Sequence, residues 1–201
     1  MRLQFACMLV LGLTLKIQAQ TIITNFQENQ TIYWCSVSVD GPCPGFFGQE
    51  FSFEKSIKLK SISVFIFDHP KHDETNASVN FSIWNFNDKP TTEIFRSEAI
   101  NIAKEEVNGW KTFVFKDSIN INAGSYLIGI GQSQIQGFVA FGSGYAKQDY
   151  KSKNWGMMPI EGFTDGTEWF DLIEIAKKMG ISEDDLKNSE SGAVMMKIAY
   201  D

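Results

Sequence analysis

The sequence predicts a mainly β protein: a two-sheet antiparallel jelly-roll-like sandwich with a small helical insertion before the last strand. Three observations carry that expectation. Apolar and polar residues alternate with a period of two along much of the chain, as where Val79, Phe81 and Ile83 alternate with Asn80, Ser82 and Trp84. Breaks containing Gly, Asn or Pro recur at short intervals, which suits strands joined by turns better than βαβ units. Seventeen phenylalanines and five tryptophans in 201 residues supply ample material for a core.

Residues 1–19 read as a secretory signal. Arg2 gives a positive start, Leu9 to Leu15 lies in an apolar run, and Ala19 closes a small-residue cleavage site. That run is shorter than the roughly 20 residues a membrane span needs, and no later stretch reaches that length. Cleavage lowers Lys+Arg from 18 to 16 against 24 acids, moving the net charge from −6 to −8. Residues 20–201 are then one exported domain, secreted or held at the cell surface or in the periplasm. An acidic chain without a basic cluster is a poor partner for nucleic acid or anionic lipid.

Residues 21–26 and 31–39 are β-like, rich in β-branched and aromatic side chains. Between Cys35 and Cys43 lies a loop containing Asp40-Gly41-Pro42. An even pair of cysteines in an exported chain favours a disulfide, worth about 2–3 kcal/mol for so short a loop, over two free buried thiols. Phe46 to Phe53 is the next strand. Leu59 to Phe67 follows, apolar on both faces and so expected to be central and covered twice. Asp68 to Asn76 is a charged turn, placed at a hairpin tip. Val79 to Trp84 is a strand broken by Asp88-Lys89-Pro90, and Glu93 to Arg96 and Ile100 to Ala103 are short ones.

The clearest β signal is residues 108–131. Trp110, Phe113 and Phe115 begin an alternation, Asn122-Ala123-Gly124 supplies turn chemistry, and Tyr126, Ile128 and Ile130 resume it. This is the signature of paired, half-buried strands, and Trp84, Trp110 and the phenylalanines are read as core. A strand at Gly137 to Gly142 brings the count to about ten, as a sandwich requires.

Residues 146–190 depart from the pattern. A Gly- and Lys-rich loop carries Tyr145, Tyr150 and Trp155. From Glu168 the period turns helical, with Trp169, Leu172, Ile173, Ala176 and Met179 on one face and Gly180 as the stop. A second short helix starts at the N-cap Ser182, and Val194, Met196 and Ile198 form the final strand. The segment from Glu174 to Leu186 looks like a DNA-binding helix-turn-helix, but Glu183-Asp184-Asp185 would repel phosphate, which leaves a capped helical hairpin.

Asp68, His69, His72 and Asp73 gather both histidines with acids, a composition that can hold a divalent metal, although Lys71 inside the cluster favours a solvated turn. No cofactor is otherwise implied. No nucleophile elbow, zinc-protease or P-loop motif is present, while a glycosidase-type carboxylate pair needs only two of the 24 acids. Tyr145, Tyr150 and Trp155, set among amide and charged side chains, suit stacking on sugar rings. Pinning a long loop to the sandwich is the plainer alternative. Sequons stand at Asn29, Asn76 and Asn80.

Gly48-Gln49-Glu50-Phe51, Leu59 to Val64, Gly109-Trp110 with Phe113, and Ile121-Asn122-Ala123-Gly124 with Tyr126 and Ile128 resemble successive strands of a jelly-roll module. Such carbohydrate-binding-like modules occur in secreted and cell-surface proteins of Bacteroidetes-type bacteria. The resemblance covers residues 46–142 and the last strand, and its motifs are structural. It implies export and a binding or adhesive role more often than catalysis. The expectation is therefore an exported, non-catalytic binding module for a glycan or cell-surface component. A hydrolase or metal-dependent enzyme and a purely structural surface protein are the alternatives.

Overall fold

In the computed structural model the described residues are 20–26, 33–37, 46–67, 77–102, 108–132, 139–145, 154–157, 169–171 and 192–201. They form β1 (Thr21–Thr24), β2 (Tyr33–Val37), β3 (Phe46–Phe53), β4 (Ile57–Ile66), β5 (Ala77–Asn87), β6 (Lys89–Arg96) and β7 (Ile100–Ile102). The chain continues with β8 (Gly109–Ile121), β9 (Gly124–Gln132), β10 (Val139–Tyr145), β11 (Asn154–Met157), β12 (Trp169–Asp171), β13 (Gly192–Val194) and β14 (Met196–Tyr200).

These strands make two seven-stranded sheets. The β4 sheet runs β1-β14-β4-β10-β13, with β2 also on β10 and β8 on β4. The β9 sheet runs β12-β11-β3-β9-β5-β6, with β7 also on β5. Every pairing is antiparallel. The chain changes sheet at β2–β3, β3–β4, β4–β5, β7–β8, β8–β9, β9–β10, β10–β11 and β12–β13, which is the jelly-roll-like sandwich the alternation predicts. Within one sheet, β5 turns directly into β6 on Asp88, whose φ of 59° is the left-handed conformation an Asp tolerates better than most side chains.

Each inner face is built by the period of two. Ile57, Leu59, Ile62, Val64 and Ile66 of β4 point inward, against Val79, Phe81 and Ile83 of β5 and Ile128 and Ile130 of β9. Phe81 stacks on Phe113 across the sandwich at 5.9 Å between ring centroids. Residues 115–118 of β8 lie opposite Lys60 alone, and this bulge delivers Phe115 into the core, edge-on to Phe95 at 5.2 Å.

Several expectations are revised. Residues 108–131 do form two strands, but β8 pairs with β4 and β9 pairs with β3 and β5. Gly124, at φ 148°, turns the chain from one sheet to the other instead of closing a hairpin. The β4–β5 connection likewise crosses between sheets, so it is no hairpin tip. β4 is central, between β14 and β8, as expected, and on its outer face Ser61 and Ser63 are buried while Phe65 is half-buried. The final strand is two, β13 on β10 and β14 on β4, divided at Met195. Tyr145 ends β10 and Trp155 lies in β11, so both ends of the expected loop are strands, and they belong to different sheets.

Trp169 does not open a helix. Trp169–Asp171 is β12, paired with β11, because backbone pairing to an existing sheet edge outweighs a helical period carried by a few apolar residues. The rest of the expected helices, from Leu172 through Leu186, lies outside the described residues, as do residues 1–19.

Candidate functional site

The sequence-predicted metal cluster, Asp68, His69, His72 and Asp73, lies outside the described residues, as do Tyr150 and Cys43. Cys35 sits on β2 opposite Phe141. Among the described residues, no group of three His, Cys, Asp or Glu could hold a metal ion. No helix among them is long and apolar enough to cross a membrane.

Three places outside the core have chemical character. One is a cavity of about 440 Å³ at the end of the sandwich, lined by Ser52, Phe53, Glu54, Lys55, Ile57 and Tyr200. The Ser52 and Ser125 hydroxyls beside it already bond each other at 2.7 Å. The second is Trp110 on the outer face of the β4 sheet, which is half-buried and not in the core as the alternation had implied. Its ring is taken by Phe26, stacked at 5.6 Å, and by the Lys197 ammonium 4.0 Å from the centroid.

The third is the outer face of the β9 sheet. Directly opposed residues on antiparallel strands share a face, so register alone sorts this surface into rows. Trp169, Met157, Phe46, Gly131 and Asn80 occupy one row of register positions. Asp171, Trp155, Gly48, Gly129, Ser82 and Arg96 occupy the next. Glu50, Leu127, Trp84 and Glu93 make the third.

Gly48 and Gly129 leave the centre of the middle row without side chains, and the flanking rows lean into that space. Leu127 folds over Gly48, where a Cβ would stand 2.6 Å from Leu127 Cδ2. Phe46 lies across Gly129 and Gly131, and a Cβ on Gly131 would collide with its ring. Above them Trp84 and Trp169 meet edge to face at 5.4 Å, and Trp169 meets Phe46 the same way at 6.1 Å. Both indoles are partly exposed, but their Nε1 atoms are covered and have no hydrogen-bond partner. Asn80 Oδ1 is also covered and unpartnered, on a side chain only 7% exposed. Each such group costs about 1–3 kcal/mol while it stays unsatisfied.

At the β6 rim the polar groups are fully engaged. The Arg96 guanidinium donates to Glu93 from Nε and Nη2, at 2.6 and 3.0 Å, and Ser82 Oγ donates to the same carboxylate at 2.7 Å. Burial raises the Glu93 pKa, but the hydrogen bonds from Arg96 and Ser82 and the Arg96 charge outweigh it and hold it below the usual 4.5. A depressed folded pKa means stability present above the unfolded value and lost as pH falls through the folded one. In thermal unfolding from neutral pH downward, the wild-type advantage over Glu93→Gln is expected to hold to about pH 4.5 and shrink below it. A constant difference down to strong acid would rule this out.

Of the sequence-predicted ligand residues that are described, Trp155 has its backbone in these rows, opposite Gly48, while Tyr145 is in the other sheet. Trp84 and Trp169 were missed. The signal for Trp84 was present: it alternates in phase with Asn80 and Ser82, the polar face, and against Val79, Phe81 and Ile83. The sequon at Asn80 falls mid-strand on a 7% exposed side chain, which makes it a poor glycosylation acceptor.

No protein-family profile matches the chain, and no curated protein matches it. Among solved structures, a chain of the infectious bursal disease virus Gt strain is 8% identical, with 91% of this chain and 41% of that one covered and a TM-score of 0.35. A chain of the T13 IBDV viral particle is 10% identical, with 90% and 35% covered, also at 0.35. The chain thus spans less than half the length of either.

Proposed function

We propose that the chain is an exported, non-catalytic binding module whose β9-sheet outer face takes a glycan or similarly hydroxyl-rich component of a cell surface. The observation that carries the reading is that two indole N–H donors and one amide acceptor, all unpartnered, belong to one aromatic face. A sugar ring offers hydroxyls that both accept and donate, and C–H faces that lie against aromatic rings. Because both Nε1 atoms are covered in the free protein, the indoles must part to offer their N–H groups to the ring. Export rests on the signal-like residues 1–19.

A glycan array probed with the chain lacking residues 1–19 tests this. Trp84→Phe and Trp169→Phe keep an aromatic ring and delete the N–H, so each is expected to weaken binding about tenfold, the worth of one hydrogen bond. Their melting temperatures should not fall in proportion, since each change removes a buried donor that has no partner in the free protein. Silence across the array would sink the binding reading. Full affinity in both variants would move the site off this face.

A further inference from the structure

We infer that two copies of this chain pair through β8, antiparallel about a two-fold axis at Thr112, so that their β4 sheets join edge to edge. The inference uses the sheet opposite the glycan face and stands independently of that reading. Among the described residues β8 pairs with β4 alone, which leaves the backbone groups on its other side without a neighbouring strand. The remaining strands at sheet margins are short or guarded. β1, β2, β7, β12 and β13 have three to five residues each. β6 carries Pro90, which cannot donate to a ladder, and its pairing with β5 is irregular.

Three constraints choose the register. Opposed residues share a face, so a two-fold that keeps both outer faces on one side sets each residue opposite one of equal parity. Residues 115–118 bulge opposite Lys60, and Asn108 is left-handed at φ 55°, so the regular run is 109–114. On the outer face of that run stand Trp110, the exposed Thr112 and Val114, an aliphatic side chain 69% exposed. A centre at Lys111 or earlier sets Val114 against residues outside the run, and a centre at Phe113 or later runs Thr112 or its neighbours into the bulge. A centre at Thr112 sets Val114 against Trp110 of the second copy, twice over, and Thr112 against its own mate. Aromatic and β-branched residues opposed in this way stabilise antiparallel strands. Each copy uses the same edge, so the pairing closes as a dimer.

The test is sedimentation equilibrium of residues 20–201 at low salt, for the wild type, Thr112→Glu, Thr112→Lys and Val114→Ser. A five-residue ladder buries less than a standard interface, so the wild type is expected to dimerise with a Kd of about 100 µM. Thermal unfolding of dilute samples checks that the variants fold, since Thr112 Oγ1 also bonds Ser63 Oγ at 2.8 Å. Each charged variant opposes its own charge at the axis and should weaken dimerisation at least about tenfold, whichever the sign. Mixing the two opposes unlike charges, and the mixed pair should associate at least about tenfold more tightly than either variant alone. The neutral Val114→Ser, which strips the contact with Trp110, should weaken pairing about fivefold. A wild type still monomeric at about 1 mM overturns the inference. So does a dimer indifferent to the Thr112 changes or to Val114→Ser, which would lie elsewhere on the surface. Weakening by one sign alone reports net charge and overturns it as well, as does a mixture that fails to recover pairing.

Discussion

Asn25→Ala is expected to lose about 3 kcal/mol of stability, the largest effect of any single polar substitution proposed for this chain. Asn25 is fully buried just beyond β1, and its amide spans the break at Met195. Nδ2 donates to the Val194 carbonyl at 2.7 Å, and Oδ1 accepts from the Met196 N–H at 3.0 Å. The side chain therefore acts as one more rung of the ladder at the point where β13 gives way to β14. Alanine deletes both bonds and leaves Met196 N–H buried without its partner. Asn25→Asp is not a rescue, because a carboxylate cannot donate to Val194 and would carry charge into an unexposed position. Denaturant unfolding measures both variants, and a loss under about 1 kcal/mol for Asn25→Ala would show that the corner does not depend on this amide.

Gly131→Ala is expected to cost about 2 kcal/mol, as overpacking does where a neighbour cannot retreat. The added Cβ meets Cδ2, Cε2 and Cγ of Phe46, so the whole ring must turn. It cannot do so freely, with Trp169 against its edge and the Arg96 guanidinium over its face. The specific expectation is non-additivity. In the Phe46→Ala background the same Gly131→Ala change should cost little, for a coupling of about 1–2 kcal/mol. Additive losses would mean that the ring is not what requires a glycine there. The pair also bears on binding, since Phe46 is the floor on which Trp169 rests.

The rows of the candidate face were half written in the sequence. The strand Val79 to Trp84 sorts itself by period into an inner set and an outer set, and Trp84 belongs with the polar outer set. Reading it as core followed its residue type instead of its phase. Trp169 gave the opposite difficulty. Its neighbours Leu172, Ile173 and Ala176 follow a helical period, and nothing local reveals that β11 offers a paired edge. Nothing local marks Gly48, Gly129 or Gly131 as special. Their use, as places where Leu127 and Phe46 fold across a neighbouring strand, exists only once β3, β9 and β5 lie side by side.

The sandwich class and the inner faces of β4, β5 and β9 followed from local alternation, because successive side chains on an extended chain must point to opposite sides whatever the strand pairs with. Partner choice is different in kind. The stretch from 108 to 131 encodes two strands and a turn equally well as a hairpin or as a crossing between sheets. Only the burial of Phe113 and Phe115 against Phe81 and Phe95 selects the crossing. The same holds for function. The residues that could bind are ordinary aromatic and amide side chains scattered from Phe46 to Trp169, and antiparallel register is what assembles them into one face with its donors and acceptor unspent.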